Sequence, residues 1–496
     1  LAGSPKARLG AAISRRTEAH RAWIGERGEL VGRARGASSV IGERLDRLGW
    51  SPFHTLLIFA LGVTWILDGL EVTIVGSIGP ALKSAAALSL SDAQIGAAAS
   101  AYVFGAVCGA LGFGWLTDRY GRKPMFAITL GLYVLGVTLS ALSVDHLSFD
   151  AARLLTGLGI GGEYAAINSA IDEMIPARLR GRVDLAVNGS YWLGAAMGAA
   201  GSLLLMDPAI LPAWLGWRLG FAIGGALGLA VIVLRRHVPE SPRWLALHGE
   251  TEQAAEVLAG IESRATGREV APVDLPPPRR FATGLLALLH AMATSHRTRS
   301  LYVLVLMIAQ AFLYNAVFFT YGLVLNRYEG VPEGRIGLYI LPLAITNFAG
   351  PLLLGHLFDT IGRRRMIAAT YALSALLMAA VALGLGAGKL TATTQTIGWM
   401  AVFFFASAAA SSAYLTASEV FPPESRALAI ALFYAFGTIL GGVGAPLLFG
   451  WLIGLGTIGP VVGGYLAASA LMSVAAITAL VIGVDAEGKS LEELAL

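Results

Sequence analysis

The chain has 496 residues, 56% of them hydrophobic and 14% charged, with a mean hydropathy of +0.67 and a formal net charge of +4. Such a balance lies outside the range of soluble globular domains and points to an integral membrane protein. Its single cysteine, Cys108, excludes an intrachain disulfide framework and a cysteine metal cluster, and no G-x(4)-G-K-[ST] loop for a nucleoside triphosphate is present.

Residues 1–52 are rich in basic side chains and contain no apolar stretch of the kind a cleavable signal carries, so they are expected to form a cytoplasmic tail. Twelve apolar stretches follow, at 54–79, 93–116, 125–144, 149–171, 184–206, 217–234, 301–325, 336–357, 367–386, 396–416, 428–455 and 460–483. Each is long enough to cross a hydrocarbon layer of about 30 Å as a helix. An even number of spans puts both termini on one side. The two tails and the loops after even-numbered spans hold every one of the 36 Lys and Arg except Lys83, Arg153, Arg218, Arg327, Arg335 and Lys389. That bias predicts cytoplasmic termini and accounts for the basic excess without nucleic-acid binding.

The predicted organisation is an all-α membrane protein: a tail (1–52), a six-helix bundle (53–235), a cytoplasmic linker with short helices (236–300), a second bundle (301–484) and a short tail (485–496). Within the linker, Ala255, Val257, Leu258 and Ile261 have the spacing of an amphipathic helix.

Span 1 contains "LDGLEVTIVG", in which Asp68 and Glu71 lie three apart on one helical face of an otherwise uncharged stretch. Span 4 adds Arg153 and Glu163. With about 1.5 Å of rise per residue, Arg153 is closest in depth to Glu71, which predicts an ion pair. Three acids against one arginine leave two negative charges in excess. A dry bundle does not hold them ionised, so at least one of the three is expected to exchange protons as water access alternates.

Later spans carry uncharged hydrogen-bonding groups suited to a small polar solute: Asn188 in span 5, Gln310, Asn315 and Tyr321 in span 7, Asn347 in span 8, and Tyr414 in span 10. Glycine pairs four apart (Gly105 and Gly109, Gly157 and Gly161, Gly194 and Gly198, Gly437 and Gly441) are expected to let helices pack closely. Pro446, beside Gly442 and Gly444, is expected to break span 11.

The halves repeat. "GWLTDRYGRK" after span 2 is matched by "GHLFDTIGRR" after span 8, and "EMIPARLR" after span 4 by "EVFPPESR" after span 10. Parallel six-span repeats explain two such pairs at similar separations. With "RLLTGLGIGGEY", "GWR", "PESPRWL" and "GKSLEEL", the chain from 53 to 495 resembles the major facilitator superfamily, in its sugar-porter and metabolite:proton-symporter branches.

The resemblance implies two six-helix bundles in pseudo-symmetry, rocking around a central site. It implies proton-coupled symport of a small polar organic solute (a sugar, a polyol or an organic acid) by a monomer in the plasma or inner membrane, with no cofactor and no enzymatic activity. D-G-L-E resembles the D-G-x-D motif of aromatic-acid:proton symporters. Glu163 falls at the acidic position of phosphate:proton symporters, and Glu71 at that of sugar:proton symporters. Gln310 and Asn315 match part of a sugar-porter motif, while Ala309, Ala413 and Asn188 depart from it.

The remaining motif residues are expected to form a cytoplasmic gate. Gly114 and Gly121 bracket a tight turn in which Asp118 is placed to accept from Arg122 or from a helix N-terminus of the other half, beside Arg119; Asp359 and Arg363 repeat this in the second half. Glu173 with Arg180, and Glu419 with Arg426, are joined by Glu240 and Arg243 in a set of ion pairs. Each pair is weak alone, which suits a gate that must open. Two other readings are a proton-coupled exporter of drugs or metabolites and a transporter-like nutrient sensor.

Overall fold

A computed structural model describes residues 37–235, 238–276, 289–290, 292–294, 296–420 and 426–484. The described residues are helical, without strands, and their contacts divide them into a small unit and a large one.

The small unit holds α1 (Ala37–Arg47), α8 (Pro242–Leu247) and α9 (Thr251–Thr266). Ser241 caps α8 by accepting from the Trp244 amide at 3.2 Å, and Pro242 sits in the first turn, where its missing N–H costs nothing. Helix α9 is the amphipathic helix read from the sequence. It buries Ala254, Ala255, Leu258 and Ile261 and ends at Gly267, whose φ of 69° suits glycine. Ile41 and Leu45 of α1 are buried as well, and Arg44 forks onto Glu262 with two hydrogen bonds of 2.6 Å.

Twelve membrane-crossing segments make up the large unit. The first six are α2 (Pro52–Ile78), α3 (Asp92–Tyr120), α4 (Arg122–Leu142), α5 (His146–Met174), α6 (Ala177–Leu205) and α7 (Ala213–Arg235). The second six are α10 with α11 (Arg297–Phe318 and Tyr321–Glu329), α12 (Ile336–Thr360), α13 (Arg363–Gly386), α14 (Ala392–Val420), α15 with α16 (Arg426–Gly437 and Gly444–Gly454) and α17 (Ile458–Ile482). Among the described residues ten segments are long and apolar enough to cross a bilayer. The other two, α5 and α6, have 29 residues each and carry more charge.

Two spans are interrupted. Span 7 breaks at Phe319 and Thr320, where the Thr320 hydroxyl bonds back to the Ala316 carbonyl, a substitution for ladder bonding that bends helices. Span 11 is broken as Pro446 predicts, but one turn earlier: Thr438–Val443 is a π-helical segment between α15 and α16. Proline withdraws one ladder donor and crowds the carbonyl four residues back, and the wider π turn accommodates both.

The glycine pairs act as read. Gly105 and Gly109 of α3 face Gly157 and Gly161 of α5 so closely that a Cβ on any of them would fall on the opposite backbone. The repeat is visible too: Gly121 between α3 and α4 has φ 96°, and Gly362 between α12 and α13 has φ 112°.

Backbone also meets backbone across the two halves, at the end of the bundle where α2 stops and α3 starts. Gly76 of α2 abuts the Phe318 carbonyl and Gly322, and Gly96 of α3 abuts Pro446 and Gly450 of α16. A three-centre ion pair lies beside this seam: Asp92 accepts from Lys83 at 2.7 Å and from Arg327 of the second half at 2.6 Å. Asp92 opens α3 beside the Ser91 cap, whose hydroxyl accepts from the Gln94 amide at 3.2 Å while the Gln94 carboxamide oxygen accepts from the Ser91 amide at 2.9 Å.

Candidate functional site

All four charged side chains predicted for the bundle interior are buried: Asp68 is 2% exposed, and Glu71, Arg153 and Glu163 are fully enclosed. Glu71 pairs with Arg153, as their depths predict. The Arg153 guanidinium also lies over the ring of Tyr102, 4.6 Å from its centroid, and 5.5 Å from that of Phe221. Aromatic faces thus share the cation with the carboxylate.

Asp68 makes no such pair. One of its oxygens accepts from the Tyr102 hydroxyl and the other from the Tyr164 hydroxyl. Tyr164 is stacked on Trp65, with ring centroids 4.5 Å apart. One residue, Tyr102, therefore touches both centres, its hydroxyl on Asp68 and its ring under Arg153.

Glu163 has a cation that the sequence reading missed. Arg235, the last residue of α7, turns back into the bundle, is 5% exposed and pairs with Glu163. It also donates to the Ala60 carbonyl at 3.0 Å and the Thr64 hydroxyl at 2.5 Å, while Thr129 donates to Glu163. In the sequence Arg235 looks like a loop anchor beside Arg236. Its partners lie far away along the chain, so spacing carries no signal of them. The expected excess of two negative charges therefore shrinks to one, on Asp68.

A cavity of about 160 Å³ opens beside Asp68, walled by both halves. Six tyrosines line it (Tyr102, Tyr164, Tyr191, Tyr314, Tyr414 and Tyr434), with Phe318 and Phe319. Its remaining polar groups are Asp68, Gln310, Asn315 and Thr438. Among the described lining residues there is no lysine or arginine, and the Asp68 carboxylate is the ionic group.

Of the solute-binding residues predicted, Gln310, Asn315 and Tyr414 line this cavity. Asn315 uses its amide nitrogen on the Ala311 carbonyl at 2.8 Å. Asn347 lies behind the wall, accepting from the Tyr314 hydroxyl at 2.6 Å. Tyr321 is elsewhere: the break in span 7 carries it past the cavity, where its hydroxyl meets Thr396 at 2.7 Å and its ring packs edge-on against Trp399. The Asn188 side chain lies outside the described residues. The aromatic lining was the larger omission, since tyrosines dispersed over six spans and facing one point have no sequence signature.

Among the residues expected to form a gate, Arg122 reaches Asp118 at 3.4 Å and the Thr117 carbonyl at 3.3 Å across the turn closed by Gly121, while the exposed Arg119 lies over Trp115 at 5.5 Å. Gly114 sits one turn before Asp118 in α3 and is partly buried. Glu240 accepts from the Ser241 amide at 2.9 Å, Arg243 lies against Gly42 of α1, and Glu173 and Arg363 are half-buried. The side chains of Arg180, Asp359, Glu419 and Arg426 lie outside the described residues, so the predicted ring of pairs through them does too.

A multi-pass helical bundle whose two halves meet around a small cavity, with charge buried at its wall, has the architecture of a membrane carrier. The chain belongs to the Sugar (and other) transporter family, whose pattern matches residues 71–495. It is 26% identical over 461 residues to the niacin transporter NiaP of Acinetobacter baylyi, covering 91% of this chain and 99% of that one. It is 28% identical over 421 residues to the 4-hydroxybenzoate transporter PcaK of Pseudomonas aeruginosa, covering 81% and 88%. The fold is that of the xylose transporter XylE from E. coli in its inward-open form, with a TM-score of 0.69 at 20% identity over 89% of this chain and 98% of that one. The protein is thus a multi-pass membrane transporter with the major facilitator fold.

Proposed function

We propose that the protein is a proton-coupled symporter that carries a small organic acid by alternating access, with Asp68 as the group that takes up and releases the proton. One observation carries this reading: among the described charged residues inside the bundle, Glu71 and Glu163 each face an arginine, whereas Asp68 faces the cavity and is held by two hydroxyls. Protonating a carboxylate paired with a buried arginine would leave that cation without its partner, which holds Glu71 and Glu163 ionised. At Asp68, gain or loss of a proton changes the net charge on the wall of the binding cavity, which is what couples proton and solute.

Cavity size and chemistry favour a single aromatic ring over a sugar. About 150 Å³ of cavity accommodates one benzene ring, close to the volume present here. Rings outnumber the free polar groups that a polyol would need. Two relatives are named for niacin and 4-hydroxybenzoate, both single-ring aromatic carboxylates. Glu71 with Arg153 then stabilises the α2–α5 contact next to Asp68, and Glu163 with Arg235 does so deeper in the first half. The motif residues between spans act as the gate on the cytoplasmic side, with both termini on that side of the plasma or inner membrane. The protein works as a monomer, without enzymatic activity.

The test is uptake of radiolabelled benzoate into proteoliposomes with and without an inward proton gradient. The gradient should drive accumulation, and Asp68→Asn should abolish accumulation while leaving exchange of internal for external benzoate. Accumulation by Asp68→Asn equal to that of the parent protein would refute the assignment.

A further inference from the structure

Asp68 and Tyr164 together make a device that no assignment of the proton site alone requires. An ionised carboxylate has acceptors for both hydroxyls that reach it, one per oxygen. Once protonated, one of its oxygens becomes a donor and a poorer acceptor, which favours turning one of the two tyrosine hydroxyls away from it. Tyr102 is the less free to respond: it is 4% exposed, and its ring is held under the Arg153 guanidinium. Tyr164 is partly exposed and lines the cavity, with its ring fixed by Trp65 on one face and by the edge of Tyr434. Its hydroxyl turns without moving the ring.

We propose that Tyr164 is the specificity-determining donor for the solute's carboxylate, released to it only when Asp68 is protonated. This rests on the symport reading above. The ionised Asp68 repels an anion and occupies the donor that the anion needs; protonation removes the repulsion and frees the hydroxyl in one event. The proton stays on Asp68, no bond to the solute forms or breaks, and the net charge of the site with its monoanion equals that of the empty ionised site.

The other titratable and charged groups around Asp68 do not replace this donor. Glu71, one turn along α2, and Arg153 are paired with each other. Tyr102, Tyr133 of α4, Tyr191 of α6 and Tyr434 of α15 complete the surroundings. Among the described residues no second cation faces the carboxylate from those helices.

Equilibrium binding to the full-length protein in detergent, followed by tryptophan fluorescence between pH 5 and 8, tests the proposal without any gradient. The probes are benzoate, its neutral analogue benzamide and the cation N-methylpyridinium. In the parent protein, benzoate binding should weaken with rising pH with the uptake of one proton per benzoate, and benzamide binding should not follow that slope. Tyr164→Phe should weaken benzoate about 10- to 100-fold, the range expected for a charge-assisted hydrogen bond, and benzamide far less. Asp68→Asn should flatten the pH profile.

Equal weakening of benzoate and benzamide in Tyr164→Phe would mark Tyr164 as merely structural and overturn the proposal. So would tighter binding of N-methylpyridinium than of benzoate at pH 8 with no benzoate binding at pH 5. Proton-linked benzoate binding without gradient-driven accumulation would sink the symport reading and leave this one standing. Gradient-driven accumulation with no carboxylate preference lost in Tyr164→Phe would do the reverse.

Discussion

The Ser100 hydroxyl of α3 sits inside the hydrogen-bond ladder of the opposite half, donating to the Val443 carbonyl at 2.7 Å and accepting from the Leu447 amide at 3.0 Å. Those two backbone groups lie where the π turn gives way to α16. A side chain from the other half meets both of them there. Thr438, at the start of the same π turn, lines the cavity, so the seam and the solute site share one irregular segment. Ser100→Ala should weaken the seam by about 1 kcal/mol, the net worth of a hydrogen bond, a shift of about fivefold in the balance of conformations. Spin-label distances across the two halves at that end would register it; an unchanged distance distribution would mean that Ser100 does not hold the seam.

Gly96→Val should prop the same seam apart. A side chain there has nowhere to go but the Pro446 carbonyl and the Gly450 backbone, neither of which yields as a flexible side chain does. Expected are loss of gradient-driven uptake with retained benzoate binding, and labelling from the seam side of a cysteine placed in the cavity. Uptake at the parental rate would show that the halves need not close this tightly.

Glu163→Gln should destabilise the fold by about 3–5 kcal/mol, because it leaves Arg235 buried without its charge partner. The double replacement Glu163→Gln with Arg235→Gln should recover much of that loss. Thermal unfolding in detergent measures both. Additive losses in the double variant would show that the two residues do not act as a pair.

Glu262→Gln should loosen α1 from α9. Its carboxylate receives both hydrogen bonds of the Arg44 fork and raises the Arg44 pKa beyond its ordinary value. A raised folded pKa on a basic group gives stability that is fully present below the unfolded value and lost as pH rises through the folded one, so this contribution should stay constant from neutral pH up to about pH 12. The cost expected is about 1–2 kcal/mol, since Arg44 is a quarter exposed. Hydrogen exchange of the α1 amides would report it; unchanged protection would place the hold on α1 in its apolar face, Ile41 and Leu45.

The helices were legible because a bilayer demands a long apolar stretch and little else. The Glu71–Arg153 pair was legible because burial forces opposite charges together and helical rise fixes their depths. Arg235 was not: a terminal arginine reads as an anchor until the fold shows which way it turns. Tyr321 lies past the cavity because span 7 breaks at Phe319 and Thr320, a local interruption that an apolar run does not reveal. The aromatic wall was invisible because its members come from α3, α5, α6, α10, α14 and α15, and only assembly gives them a common direction.

The seam at Gly76 and Gly96 has a bearing on speed. Where main chain lies against main chain, as at these two glycines, the contact itself holds no side chain to free or to freeze, so it adds little of the rotamer entropy that usually accompanies a tight interface, and the side chains that do cross, Arg327 and Ser100, are few. A carrier that must unfasten and refasten at each turnover gains a low, nearly symmetric barrier from surfaces with so little to rearrange.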